Sequence, residues 1–148
     1  MRRHVIFWRR RDFAHSVAVG LDDAAVGEVE APLGGQEAQP RHAGLARAQG
    51  LEPHLVAAVI EVESAGHHRA VSHVGALGLM QILPETGREL AAKHGVPWSG
   101  PDTLFDPQIN VKLGVAYLRE LTNRYGDVSI ALAAYNWGPG VIDRRLRD

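Results

Sequence analysis

Two carboxylates stand two residues apart in the run LVAAVIEVES, Glu61 and Glu63. At about 100° per residue, Leu55, Val56, Val59 and Ile60 form one apolar helical stripe. Glu63 follows Val59 by four residues and Val56 by seven, so it continues that stripe, whereas Glu61 is turned about 200° from Val59, toward water. A carboxyl on an apolar face is disfavoured in its charged form, and its pKa rises. A carboxylic acid that holds its proton near neutral pH is a general acid, the group needed to protonate the leaving oxygen as a glycosidic bond breaks. The plainer alternative puts Glu63 at the rim of the stripe, paired with Arg69 or Arg88.

Other polar and aromatic residues gather in two later segments, AVSHVGALGLMQILPET and ALAAYNWGPG. Gln81 is either an ordinary loop amide or a donor and acceptor for a ligand. Met80 is either a flexible core filler or a ligand contact. Asn136 suits the end of a helix ahead of the Gly138-Pro139-Gly140 turn. Trp137 could stack on a sugar face or pack on the core. His67, His68 and His73 cluster near Glu63 without the His-Glu-x-x-His spacing of zinc hydrolases, and read as solvated loop histidines. The glycines are not followed by Gly-Lys-Ser/Thr, which disfavours a nucleotide site.

The elements that must position these groups are helical. Glu52 and Pro53 open the helix that carries Glu63. Before it, GLARAQG forms a short helix over 44–50. The segment with Gly75 and Gly78 suits a close-packed loop or short strands. Pro84 starts a helix that runs to about His94 and stops at Gly95. Asp106 and Pro107 start a long helix, with Ile109, Leu113, Ala116, Tyr117, Leu121 and Tyr125 on one face and Gly126 at its end. Asp127 caps a shorter helix, and VIDRRLRD begins one more. Asp102, Asp106 and Asp127 read as loop residues or caps. The expected fold is mostly α, with a small glycine-rich, partly extended insert.

The totals bound the rest. A length of 148 residues with 45% hydrophobic content suits one core and not two. With 16 Lys and Arg against 17 Asp and Glu, no global field draws the chain to nucleic acid or anionic membrane. The absence of cysteine excludes a thiol nucleophile and a disulfide framework. Residues 1–40 read as a weakly ordered basic leader, and Val5 to Trp8 is too short an apolar run for a secretory signal peptide.

The three segments LVAAVIEVES, AVSHVGALGLMQILPET and ALAAYNWGPG, in that order and spacing, resemble the successive motifs of the soluble lytic transglycosylase (SLT) catalytic domain, within the lysozyme-like superfamily. The resemblance spans roughly Ala43 to Val141 and assigns residues 41–148 to that domain, with room for truncation at Asp148. It implies that Glu63, followed by Ser64, is the catalytic acid and base, and that Gly78 to Gln81 walls a sugar cleft. Ser64, Met80, Gln81, Tyr135 and Asn136 would contact substrate, and Tyr135 would also orient the acid or the sugar.

The implied reaction is cleavage of peptidoglycan between N-acetylmuramic acid and N-acetylglucosamine without a second carboxylate, the C6 hydroxyl closing a 1,6-anhydro ring. No metal or organic cofactor is implied. The partners expected are glycan strands and no nucleic acid, with a secretion, conjugation or phage apparatus as the setting and a monomer as the working form. The periplasm or cell envelope is the expected location. A lysozyme-type hydrolase and an inert glycan-binding or assembly module are the alternatives.

Overall fold

The computed structural model describes residues 39–148 of the chain, so nearly all of the expected leader lies outside the described residues. The described residues form six α-helices: α1 (Gln39–Ala48), α2 (Pro53–Ser64), α3 (Pro84–Lys93), α4 (Pro107–Tyr125), α5 (Val128–Trp137) and α6 (Pro139–Arg147). A 3-10 turn, Pro101–Phe105, precedes α4. The expected mostly α architecture is the one observed.

Local chemistry sets most of these boundaries. Asp106 accepts hydrogen bonds from the backbone N–H groups of Gln108 and Ile109 at 2.9 and 3.1 Å, and Pro107 gives up no donor at the first helical position. Asp127 accepts from Ile130 N–H at 2.9 Å, capping α5 in the same way. Gly126, at φ 68°, closes α4 in the left-handed region that glycine enters without strain.

Two boundaries differ from expectation. The first helix is Gln39–Ala48 rather than 44–50, so it takes in two residues assigned to the leader. At the other end, Asn136 does not terminate its helix. The Gly138 N–H reaches back to the Ala134 carbonyl at 2.8 Å, which places Asn136 inside the last turn, and the bend comes at Gly138 with φ 89°. Pro139 then starts α6 directly.

Helix α4 is the centre of the packing, touching α1, α3, the 3-10 turn and α5. Its Leu113, Val115 and Leu118 are buried with Val56, Val59 and Ile60 of α2 and with Leu77, Met80 and Ile82 of the loop that follows α2. Each such side chain removed from water contributes about 1.5–3 kcal/mol before the entropy of ordering it is subtracted. A second, smaller cluster joins Leu121, Ala131, Ala134 and Ile142 across α4, α5 and α6. Tyr117 of α4 and Tyr135 of α5 pack against both clusters.

The loop between α2 and α3 is the expected glycine-rich insert. It holds two isolated antiparallel bridges, Val71 with Leu77 and Leu77 with Ile82, and among the described residues there is no longer strand. Gly78 sits at φ 79° against α4, where an added Cβ would lie 2.3 Å from Asn110 Nδ2 and 2.4 Å from the Leu104 carbonyl oxygen. Only a residue without a side chain allows this approach.

Candidate active site

Helix α2 delivers Glu63 one residue before its end. The last turn is pinned by Ser64, whose hydroxyl donates to the Ile60 carbonyl at 3.0 Å and accepts from Gly66 N–H at 3.3 Å. Ala65 follows in the left-handed region at φ 50° and ends the helix. As the apolar stripe requires, Glu61 is exposed and Glu63 is half-buried. Among the described residues no ion pair involves Glu63. Arg69 lies instead over the Phe105 ring, 5.1 Å from its centroid. The alternative of a structural salt bridge with Arg69 or Arg88 thus has no geometric support.

Without a compensating cation, burial pushes the Glu63 carboxyl from 4.5 up to about 8. The sign of the linked stability follows. Between pH 4.5 and about 8 the folded chain holds a proton at Glu63 that the unfolded chain has released, so stability falls as pH rises through that window. Below it both states are protonated, and above it the full cost of the buried charge is present. The Tm gain of Glu63→Gln over wild type is therefore expected to be near zero at the acid end of the window and to grow to a plateau at its alkaline end. A pH-independent difference in thermal melts would contradict the raised pKa.

Tyr135 approaches the acid from α5. Burial first, then the negative charge of Glu63, then Tyr117, hold its phenol well above the ordinary range, so it stays a protonated donor. Its hydroxyl donates to the Met80 carbonyl at 2.7 Å, tying α5 to the cleft loop. Tyr117 stacks on it in a tilted arrangement, with centroids 5.4 Å apart.

The remaining expected site residues separate by what their side chains can reach. Ser64 and Met80 are 0% exposed. Both Ser64 interactions are internal, and the Met80 side chain fills the space above Gly114, where a Cβ would come within 2.4 Å of its sulfur. These two residues shape the site from behind, and Met80 takes the core-filler reading. Gln81, at φ 52°, spends both hydrogens of its side-chain amide on the loop, donating to the Ala70 and Gly78 carbonyls at 3.2 and 2.9 Å. Its oxygen remains as the group available to a ligand. Asn136 keeps a buried side-chain oxygen that has no protein hydrogen-bond partner, an acceptor held out of water. Trp137 is half-buried, with the Arg145 guanidinium 5.2 Å from the centre of its ring. His67, His68 and His73 are exposed.

One residue that organises the site escapes the sequence reading. Asn110, 1% exposed in the middle of α4, accepts from Met80 N–H at 2.8 Å and donates to the Leu77 and Leu104 carbonyls, both at 2.9 Å. The available signal is its position: Leu113, Gly114 and Tyr117 follow at three, four and seven residues, so Asn110 faces the interior with them.

A cavity of about 570 Å3 lies elsewhere, between α1, the turn after α3 and the start of α4, lined by Leu45, Val96, Ile109 and Lys112 among others. Glu63, Gln81, Tyr135 and Asn136 do not line it.

A family model described as the transglycosylase SLT domain matches residues 43–148. Over 96 residues the chain is 46% identical to a transglycosylase of Enterobacteria phage PRD1, covering 64% of this chain and 33% of that protein. Over 85 residues it is 40% identical to the soluble lytic murein transglycosylase of Escherichia coli (strain K12), covering 56% of this chain and 13% of that protein. The solved structure of the 70 kDa soluble lytic transglycosylase from Escherichia coli superposes with a TM-score of 0.70 at 29% identity, over 91% of this chain and 22% of that one. Lytic transglycosylase Slt from Pseudomonas aeruginosa, solved as an inactive mutant, gives 0.69 at 28% identity, over 96% and 25%. The chain thus spans a third or less of the length of these relatives.

Proposed function

Since the chain belongs to the transglycosylase SLT domain family and has its lysozyme-like fold, we propose that it is a peptidoglycan lytic transglycosylase cutting the β-1,4 bond between N-acetylmuramic acid and N-acetylglucosamine. The observation that carries the proposal is the carboxyl of Glu63, set on the apolar face at the end of α2 with no ion-pair partner and raised to about 8 by burial. At neutral pH it holds a proton for the bridging oxygen, and as that bond breaks the muramic acetamido group stabilises the charge at the anomeric carbon. Glu63, now a carboxylate, withdraws the proton of the sugar's own C6 hydroxyl. The C6 oxygen bonds to the anomeric carbon, a 1,6-anhydro end forms, and no water is consumed.

Four of the other described acids are engaged within the protein. Asp106 and Asp127 cap helices, Glu120 pairs with Lys93, and Asp143 accepts from Tyr125 and Arg124. That favours the anhydro route over a two-carboxylate hydrolase. In this reading Asn136 accepts from a sugar acetamido N–H, and Gln81 offers its oxygen to a hydroxyl. The proposed substrate favours the cell envelope as the location. No helix of the described residues is long and apolar enough to cross a membrane. The phage relative favours a phage apparatus as the setting.

Digestion of purified peptidoglycan followed by mass spectrometry of the soluble fragments tests the reaction. Fresh ends lighter by one water than reducing ends are expected. Reducing ends would make the protein a hydrolase. Equal, slow clearance by wild type and Glu63→Gln would make it a binding module.

A further inference from the structure

Between Glu63 and Glu85 the chain carries no acid: the ionisable groups of residues 64–84 are His67, His68, Arg69 and His73. Two turns lead from Glu63 to that arginine. His67 N–H donates to the Ser64 carbonyl at 3.0 Å, and Ala70 N–H to the His67 carbonyl at 3.1 Å. The Ala70 carbonyl then accepts from Gly78 N–H at 2.9 Å and from the Gln81 amide at 3.2 Å. Arg69 is thus built in between the end of α2 and the anchor of the cleft loop, with its side chain exposed.

The guanidinium lies over Phe105, 5.1 Å from the ring centre. The turn that bears Phe105 is tied to the same loop, since Asn110 donates to both the Leu77 and Leu104 carbonyls. A guanidinium laid flat on a ring keeps the N–H groups along its edge for a second partner. Among the described residues no acid takes that place. No ion pair involves Arg69, and Asp106, next to Phe105, accepts the N–H groups that start α4.

We propose that Arg69 is a specificity-determining residue whose guanidinium takes a carboxylate of the peptide stems borne by N-acetylmuramic acid. The inference rests on peptidoglycan being the substrate. Where a stem is attached, the lactyl group of the sugar is an amide, so the sugars are uncharged and the stems carry the carboxylates. A planar fork of N–H donors meets a carboxylate in two parallel hydrogen bonds. Its charge is permanent, so the contact does not require protonation of the neighbouring histidines. Arg69 therefore favours strands with acidic stems over strands with neutral ones, through binding and not through the chemistry at Glu63.

The test uses peptidoglycan freed of attached anionic polymers, either native or with its stem carboxylates converted to methylamides by a carbodiimide and excess methylamine. Wild type, Arg69→Gln and Arg69→Lys are compared by kcat and KM on both, beside thermal melts. Wild type is expected to have a KM about threefold to fivefold lower on native than on amidated material, the size of one well-formed exposed ion pair, with kcat little changed. Arg69→Gln is expected to bring that ratio to about one, and Arg69→Lys to leave it in between. Equal KM values for wild type, or an Arg69→Gln ratio that stays at the wild-type value, would overturn the proposal. A merely structural role would lower the Tm and slow both substrates alike, leaving the ratio unmoved.

Pelleting separates this role from the reaction. Glu63→Gln protein, with and without Arg69→Gln, is sedimented with insoluble native or amidated peptidoglycan, which needs no turnover. A preference for native material that Arg69→Gln abolishes, with no anhydro products from wild type, would defeat the assigned reaction and leave Arg69 its role. Anhydro products together with equal pelleting on both materials would defeat the role of Arg69.

Discussion

Glu63→Gln is expected to fold, to melt at or above the wild-type temperature at neutral pH, and to lose peptidoglycan-solubilising activity by about 10²–10⁴-fold. The amide has nearly the shape of the carboxyl and cannot donate a proton to the leaving oxygen or take one from an attacking hydroxyl. Stability and activity must therefore move in opposite directions. The carboxyl is a burden to the fold because it is enclosed without a cation, and it is useful for the same reason. Turbidity loss of purified peptidoglycan, measured beside thermal melts of both proteins, separates the two effects. A variant that loses activity by unfolding would show a lowered Tm, and one that keeps activity would remove Glu63 from the mechanism.

The largest expected loss of stability comes from Asn110→Ala. Three buried partners, the Met80 N–H and the Leu77 and Leu104 carbonyls, lose their hydrogen bonds at once, and α4 leaves no room for water to replace a whole side-chain amide without loosening the loop. At about 1–3 kcal/mol for each buried group left unpaired, and with partial relaxation, the cost is on the order of 3–5 kcal/mol. For a domain of this size that corresponds to a fall in Tm on the order of 15 °C. Asn110→Asp recovers only the acceptor for Met80 N–H and sets a carboxylate against two carbonyl oxygens, so it is expected to be no better. Urea denaturation measures both. A change below about 1 kcal/mol for Asn110→Ala would mean that the loop does not depend on this residue.

How much of this was legible beforehand depends on whether a residue's task is local. The caps at Asp106 and Asp127, the stop at Gly126 and the inward face of Glu63 follow from interactions within a few residues, which periodicity and cap chemistry report directly. The three ordered motifs marked the segments that carry Glu63, the loop from Gly78 to Gln81, and Tyr135. Asn110 was not legible because its partners lie up to 33 residues away in sequence, and a lone asparagine inside a helix looks like a surface residue until the opposite wall is known. Gln81 had two readings, an ordinary loop amide or a group for a ligand, and both hydrogens of its amide are spent within the loop it sits in. Asn136 appeared to be a helix end because Gly-Pro-Gly follows, whereas the bend is made by Gly138 alone and the helix direction resumes at once.

The segment carrying Gly78 to Gln81 is clamped on the side facing the protein. Asn110 grips the Met80 nitrogen, Tyr135 the Met80 oxygen, and the Gln81 amide bridges Ala70 and Gly78. None of these grips uses the outward surface, where Val74 and Leu83 stand exposed. Shape and surface chemistry are thus carried by different residues, and the outer skin of the loop can be rewritten to suit a different wall polymer while the scaffold beneath it stays as it is.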